Sequence, residues 1–224
     1  SPAGGVPRDD LTGDVAGFAS KLTRVNPELT RSRSVSGLSF ADVGWQLKGS
    51  DHTLSVGTQG IDMSATGSRV RIRVNIEVAA DATWLIAGEL DIEGALSGSG
   101  GLIKDGNGLM RLEEAGGGYS GILTVRRGTV LFTADDPLGA DATLLLNGGQ
   151  VDLNGHSALN NFSGVGTLAG GGSVSGKISP GSSAGAISLS ASTILSGIYE
   201  WEVAGQVDNQ SGSAGSDWDL LQIS

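Results

Sequence analysis

The chain has 224 residues, 38 glycines, no cysteine and a formal net charge of −10. The lack of cysteine excludes disulfide-stapled scaffolds and thiolate metal sites, and the acidic balance excludes the basic surface that nucleic acid or anionic lipid requires. Hydrophobic residues reach 38% and aromatic residues only 4%, which indicates an ordered, turn-rich, all-β protein rather than a disordered chain. No run of about 18 apolar residues is present, so no transmembrane helix is expected.

The N-terminal segment 1–34 is predicted to be an irregular arm or cap. Residues 1–13 (SPAGGVPRDDLTG) contain two prolines and no periodic apolar pattern, which is typical of a flexible arm. Gly17–Leu22 shows a weak helix signal that Pro27 limits to a turn or two. One of the two basic groups of the chain lies here: Lys21, Arg24, Arg31 and Arg33.

Short β-prone runs, separated by turns that contain Gly, Asn, Asp or Ser, fill most of the remaining chain. They are Val43–Leu47, Thr53–Val56, Val70–Val78, Thr83–Ile86, Glu89–Ile92, Gly101–Lys104, Leu109–Leu112, Ile122–Val125, Thr129–Phe132, Thr143–Leu146, Gln150–Leu153, Ser173–Ile178, Ala186–Leu189, Thr193–Leu195, Ile198–Val203 and Trp218–Ile223. The Asn-Gly pairs at 107–108, 147–148 and 154–155 suit either hairpin turns or the tight corners of a parallel solenoid. Local sequence leaves both possibilities open.

Two features of the pattern favour the solenoid. The runs LTVRRGTVLF and ATLLLNGGQVDL are apolar at short intervals without clean alternation, and related phrases recur, such as Gly-Leu-Ile-Lys with Gly-Leu-Met-Arg. Imperfect repetition of this kind is typical of stacked coils. We therefore predict a parallel β-solenoid over residues 35–203, with about eight or nine coils. Residues 204–224 are expected to form a C-terminal loop and a terminal strand.

The pentapeptide Gly181–Gly185 matches the G-x-S-x-G pattern of a nucleophile elbow, which would make Ser183 a catalytic serine. In that fold the acid and then the histidine follow the serine, but the two histidines of this chain, His52 and His156, both precede it. We therefore interpret the motif as a turn that begins at Pro180-Gly181.

Metal-binding patterns are equally weak. Asp105–Gly108 and Asp152–His156 resemble the start of calcium loops, but neither reaches the acid that an EF-hand needs at position 12. We interpret both as Asx-type turns. The C-terminal acids Asp208, Asp217 and Asp219 form a similarly weak cluster. No catalytic, cofactor-binding or metal-binding residue is predicted.

Two rows of charge alternate with apolar residues, which predicts that each row lies on the solvated face of a strand. The rows are Arg69, Arg71 and Arg73, and Glu89, Asp91 and Glu93. A glycosidase needs two carboxylates that converge on a cleft, and the acidic row is the best local candidate. The tryptophans that could stack on sugars, Trp45, Trp84, Trp201 and Trp218, are scattered through the sequence. A carbohydrate-active β-helix, either a polysaccharide lyase or a glycosidase, is the alternative function.

Residues 100–130 (GGLIKDGNGLMRLEEAGGGYSGILTVRRGTV) resemble the passenger-associated transport repeat of bacterial autotransporters. The matching positions are Gly100, Gly101, Leu102, Lys104, Gly106, Gly108, Leu112, Tyr119, Gly121, Thr124, Val125 and Gly128. Flanking sequence is similar as well, so that the resemblance covers roughly residues 35–203. It implies a right-handed parallel β-helix that is secreted or exposed on the bacterial surface.

These observations predict a non-enzymatic, extracellular structural or adhesive β-solenoid of the bacterial cell surface. Its expected partners are a surface or glycan ligand, or further copies of the chain that stack head-to-tail into a filament through open solenoid ends. The aromatic C-terminal runs Tyr199–Val203 and Trp218–Ile223 suggest a hairpin or a terminal coil. Asn161 and Asn209 begin glycosylation sequons, which predicts exposed loops there.

Overall fold

A computed structural model describes residues 9–19, 26–42, 44–181, 185–202 and 219–223. These residues form 22 β-strands and no helix. The strands are β1 Val15–Phe18, β2 Arg33–Phe40, β3 Gln46–Leu47, β4 Thr53–Met63, β5 Arg69–Ile72, β6 Asn75–Val78, β7 Ala82–Ile86, β8 Glu89–Ile92, β9 Leu96–Gly98, β10 Leu102–Asp105, β11 Leu109–Leu112, β12 Gly118–Tyr119, β13 Ile122–Val125, β14 Thr129–Phe132, β15 Thr143–Asp152, β16 Ser157–Ala158, β17 Asn161–Ala169, β18 Gly172–Val174, β19 Ile178–Pro180, β20 Ala186–Leu189, β21 Thr193–Leu195 and β22 Leu220–Ile223. No helix of the described ranges is long and apolar enough to cross a membrane.

The strands pair in parallel with strands of the neighbouring coils. Strand β11 shows the repeat, because Leu109 pairs with Glu89 on one side and with Thr129 on the other. One coil therefore takes twenty residues at this level. The ladders stack into a parallel β-solenoid of about eight coils, so the predicted fold class is confirmed. The Asn-Gly pairs lie at corners of coils and not in hairpins; Asn154 and Gly155 both have positive φ, 49° and 83°.

Three faces run along the solenoid. Face A contains β7, β10 and β13, face B contains β5, β8, β11 and β14, and face C contains β6, β9 and β12. The long strands β15 and β17 pass through a corner and belong to both A and B, while β2 and β4 belong to both C and A. Side chains on one face therefore meet across successive coils at equal positions.

The core fills the interior of the tube with columns of aliphatic side chains. On face B, Val70, Leu90, Met110 and Val130 occupy equivalent positions on four successive coils, and all four are fully buried. Burial of each such side chain is worth about 1.5–3 kcal/mol. The alternation within each four-residue strand places these residues inside and their neighbours outside.

Several strand boundaries differ from the sequence prediction. The sequence predicts single strands over Val70–Val78 and Ser173–Ile178, but each contains a corner and divides in two, into β5 and β6 and into β18 and β19. In the first run the buried corner residue Val74 continues the alternation of apolar and polar residues through the corner, so the sequence does not reveal the break. Conversely, the predicted runs Thr143–Leu146 and Gln150–Leu153 join in β15 through an irregularity between Asn147 and Gln150.

The ladder begins inside the segment predicted as an arm. Strand β1 pairs with Gly37–Phe40, and the Phe18 ring stacks on the Phe40 ring with centroids 4.5 Å apart. Gly17 and Phe18 are thus extended and not helical, because they continue the parallel ladder; residues 20–25 lie outside the described residues. At the other end, Tyr199 forms a single bridge with Ile178 where a strand is predicted.

Candidate functional site

The two charged rows lie on the outer side of face B and stack directly on each other. The prediction that both rows are solvated is wrong for Asp91, which is buried beneath the neighbouring arginines. Arg69 pairs with Glu89 in the strand register, and Arg71 pairs with Asp91, which in turn pairs with Arg111. We call the seven residues the charge ladder: Arg69, Arg71, Arg73, Glu89, Asp91, Glu93 and Arg111. Sequence reasoning missed the contact between the rows, although their equal twenty-residue offset is the signal that would have revealed it.

Every carboxylate of the charge ladder contacts an arginine. Arg111 Nε donates to Glu89 Oε1 at 2.6 Å, and Arg73 Nε donates to Glu93 Oε2 at 2.5 Å. Arg69 Nε donates to Asp91, and Arg71 Nε lies 3.6 Å from the same carboxylate. The acidic row therefore links coils together through paired charges.

Asp91 occupies the centre of the ladder, and its side chain is completely buried. Burial raises the pKa of the Asp91 carboxyl, and the hydrogen bond from Arg69 opposes that shift. Burial and the nearby charge of Asp91 also raise the pKa of Glu113. Exposed ion pairs contribute only about 0–1 kcal/mol each, and this applies to the pairs of Glu89 and Glu93. Asp91 differs, because a buried carboxylate is costly once its partners are removed.

Residues 100–130, which carry the transport-repeat resemblance, span more than one coil, and those around Lys104 and Gly128 form a corner between faces A and B. Lys104 points into the core and is fully buried, and its Nζ donates to the carbonyl oxygens of Gly106 at 2.6 Å and Arg127 at 2.8 Å. Burial lowers the pKa of Lys104 to about 8. At Gly128, whose φ is 69°, a Cβ would lie 2.6 Å from Lys104 Nζ. Lys104 thus bonds the backbone of this corner, and Gly128 leaves the space that the lysine ammonium occupies.

Tyr119 has a similar structural role at the other end of the repeat. Its hydroxyl donates to the Gly100 carbonyl oxygen at 2.9 Å, and burial raises the pKa of Tyr119 to about 12. Gly121 leaves room for this contact, because a Cβ there would lie 2.7 Å from the Tyr119 hydroxyl. The polar residues of the repeat hold the coil backbone.

The two loops that resemble calcium loops are occupied by hydrogen bonds within the chain. Arg127 Nε donates to Asp105 at 2.6 Å, and this bond lowers the pKa of Asp105 to about 2. Asp152 accepts from the Asn154 amide at 2.9 Å, which confirms the Asx-type turn there. Within the described ranges, no three His, Cys, Asp or Glu side chains are placed to hold a metal ion.

The other predicted candidates are dispersed. His156 lies 3.3 Å from Asp135, Asp219 accepts from the amides of Gly185 and Glu202 at 3.0 and 2.9 Å, and Trp45 and Trp84 are buried. Asn161 is exposed, but the loop predicted there is wrong, because Asn161 begins strand β17. Predicted candidates outside the described residues are Lys21, Arg24, Ser183, Asp208, Asn209, Asp217 and Trp218.

A cleft of about 460 Å³ opens beside the charge ladder, at the corner between faces B and C. We call it the corner cleft. Its charged and titratable lining residues are Glu28, Lys48, Asp51, His52, Arg73 and Glu93. Sequence reasoning missed this cluster, because the residues come from four separate stretches of chain that meet only when the coils stack.

Comparison of the chain with family models, with curated proteins and with solved structures finds no match. The assignment of a function therefore depends on the residues and their geometry.

Proposed function

We propose that the protein is a non-enzymatic structural or adhesive β-solenoid of the bacterial cell surface. The observation that carries the proposal is that the polar residues which could serve a catalytic site are bound to other groups of the chain. The carboxylates of the charge ladder are paired with arginines, and Lys104 and Tyr119 are bound to backbone carbonyls. These groups stabilise a rod whose outer faces remain available for contact.

The extracellular location is part of the same proposal. It is supported by the resemblance of residues 100–130 to the passenger-associated transport repeat of bacterial autotransporters. The absence of cysteine is compatible with an oxidising environment, since no thiol could form an unwanted disulfide there.

Protease treatment of intact cells that make the native protein tests the location. We expect an added protease to remove epitopes of residues 35–203 from intact cells while a cytoplasmic control protein survives. Full protection of these epitopes until the cells are lysed would contradict a surface location.

A catalytic alternative would need a free pair of carboxylates on a cleft. The acidic row does not offer one, because Glu89, Asp91 and Glu93 each contact arginine. The corner cleft does contain two carboxylates with no ion pair to a described residue, Glu28 and Asp51, so an assay must test that pair. We expect no release of reducing or unsaturated ends from a panel of acidic and neutral polysaccharides. Release that disappears in a Glu28→Gln or an Asp51→Asn variant would establish the enzyme instead.

A further inference from the structure

The corner cleft is built from a column of charged residues on four successive levels of the solenoid. The backbones of Glu28 and Lys48 form an isolated parallel β-bridge, and the Leu29 amide donates to the Lys48 carbonyl at 2.8 Å. The Arg73 amide donates to the Leu47 carbonyl at 2.8 Å, and the Glu93 amide to the Ile72 carbonyl at 2.8 Å. These bonds place Glu28, Lys48, Arg73 and Glu93 one above another.

The column combines one paired cation with one unpaired cation. Arg73 is held by Glu93 at 2.5 Å. The Lys48 ammonium has no ion pair and no side-chain hydrogen bond to any described residue, and it lies one coil away from Arg73. Coils are about 4.8 Å apart, so that the two positive side chains belong to neighbouring coils. Glu28 flanks Lys48 on its opposite side but forms no ion pair with it. A bound anion between the two cations would relieve their repulsion.

The cleft also contains acceptors beside these cations. Glu28 and Asp51 belong to the lining and make no ion pair with a described residue. A small inorganic anion would gain from Lys48 and Arg73 but would be repelled by these two carboxylates. A ligand with one carboxylate and several hydroxyl groups suits both the cations and the carboxylates of the cleft, because its carboxylate accepts from the cations and its hydroxyls donate to the carboxylates.

We propose that the corner cleft binds a saccharide that carries a carboxylate, that is, a uronic acid unit of an acidic polysaccharide. The ligand's carboxylate contacts Lys48 and Arg73, and its hydroxyls contact Glu28, Asp51 and His52. The cleft volume of about 460 Å³ lies within the range of small-ligand sites, about 300–1,000 Å³. The inference rests on the proposed adhesive role, which makes a surface polysaccharide the relevant source of carboxylates.

Titration of the full chain with a short oligogalacturonate, followed by two-dimensional NMR, tests the proposal. The comparison probes are the corresponding neutral galactose oligomer and inorganic phosphate. We expect shifts of the Lys48, Gly49, His52 and Arg73 amides with oligogalacturonate, and at least tenfold weaker binding of both other probes. No shift at millimolar oligogalacturonate, or equal binding of the neutral oligomer or of phosphate, would overturn the proposal.

Variants locate the contact. Lys48→Gln should weaken binding about tenfold or more, and Lys48→Arg should retain it, because the charge is kept. The control is Lys177→Gln, which removes a lysine that is bonded to Glu200 at 2.8 Å and lies outside the cleft. Binding that survives Lys48→Gln unchanged would refute the site. Purified chain suffices for this experiment, so its failure is distinguishable from failure of the surface-location test.

Discussion

Lys104 illustrates how a charged residue is accommodated inside a β-solenoid. It occupies an inward position of face A between Trp84 on the preceding coil and Val125 on the following one. An ammonium group in that position would be costly without partners, but the corner carbonyls of Gly106 and Arg127 accept its hydrogens. A neutral amine can still donate both bonds, since it keeps two hydrogens.

A pH-dependent contribution to stability follows from this burial. The pKa of Lys104 is about 8 in the folded chain and has an ordinary value of 10.5. Between these values the unfolded chain binds the extra proton, so that the free energy of unfolding rises with pH, by at most about 3 kcal/mol. Below pH 8 both states are protonated and the contribution is constant. We expect this rise in the native chain and its loss in Lys104→Met.

Urea unfolding at several pH values from 7 to about 10.5 measures the effect as the difference between the two proteins. The control variant Lys177→Met replaces an exposed lysine and should keep the rise, because Lys104 is intact. If the stability of the native chain and of Lys104→Met changes in parallel with pH, Lys104 is not the source.

Each coil turns at corners where its backbone lies very close to the backbone of the neighbouring coil. Gly108 follows β10 and precedes β11, and a Cβ there would lie 2.0 Å from the Gly88 carbonyl oxygen of the preceding coil. No L side chain fits at that distance without movement of one coil relative to the next. The spacing of neighbouring strands, about 4.8 Å, leaves no room for such movement.

We therefore expect Gly108→Ala to destabilise the protein by about 2–3 kcal/mol, the upper range for added core volume. Gly67→Ala is the matched control, because a Cβ at Gly67 meets no atom within 4 Å and should change stability by less than about 0.5 kcal/mol. Thermal or denaturant unfolding of both variants decides the matter. Equal stability of the two would show that the corner can relax around a methyl group.

Element boundaries were predictable where turn residues flank a short alternating run. The predicted bounds of β8, β11, β13, β14, β20 and β21 agree with the structure, because a glycine or a serine immediately precedes each of these strands. Strand β17 escaped prediction. Its sequence, NFSGVGTLA, contains two glycines and an exposed Val165, and it is extended because it stacks on β15.

The site residues were harder to predict for a related reason. Alternation places Arg71 and Asp91 on the outside of strands, and this much follows from the sequence. Their contact depends on the number of residues in a coil, and this number varies. More residues separate the paired positions Gln46 and Arg71 than separate the paired positions Arg71 and Asp91. The corner cleft depends further on the segment around Glu28, which has no apolar periodicity to reveal that it stacks on Lys48.

The described ladder has unpaired strand edges at both ends of the molecule. Among the described residues, β1 pairs only with β2, and β21 only with β18. Side chains of the last coil are unusually exposed for their type: 68% for Ile194, 71% for Ile198 and 58% for Trp201. Apolar side chains beside an unpaired parallel edge favour the addition of another coil.

We predict that a second copy of the chain supplies that coil, with its β1 edge continuing the face A ladder beyond Tyr199. Such head-to-tail contact does not close on itself and therefore produces filaments. Sedimentation velocity and negative-stain electron microscopy should show rods that lengthen with protein concentration. Ile198→Asn should shift the population toward single rods, whereas Val165→Asn, which alters an exposed side chain on face A away from the last coil, should not. Single short particles of the native chain at high concentration, or equal loss of assembly in both variants, would contradict end-to-end stacking.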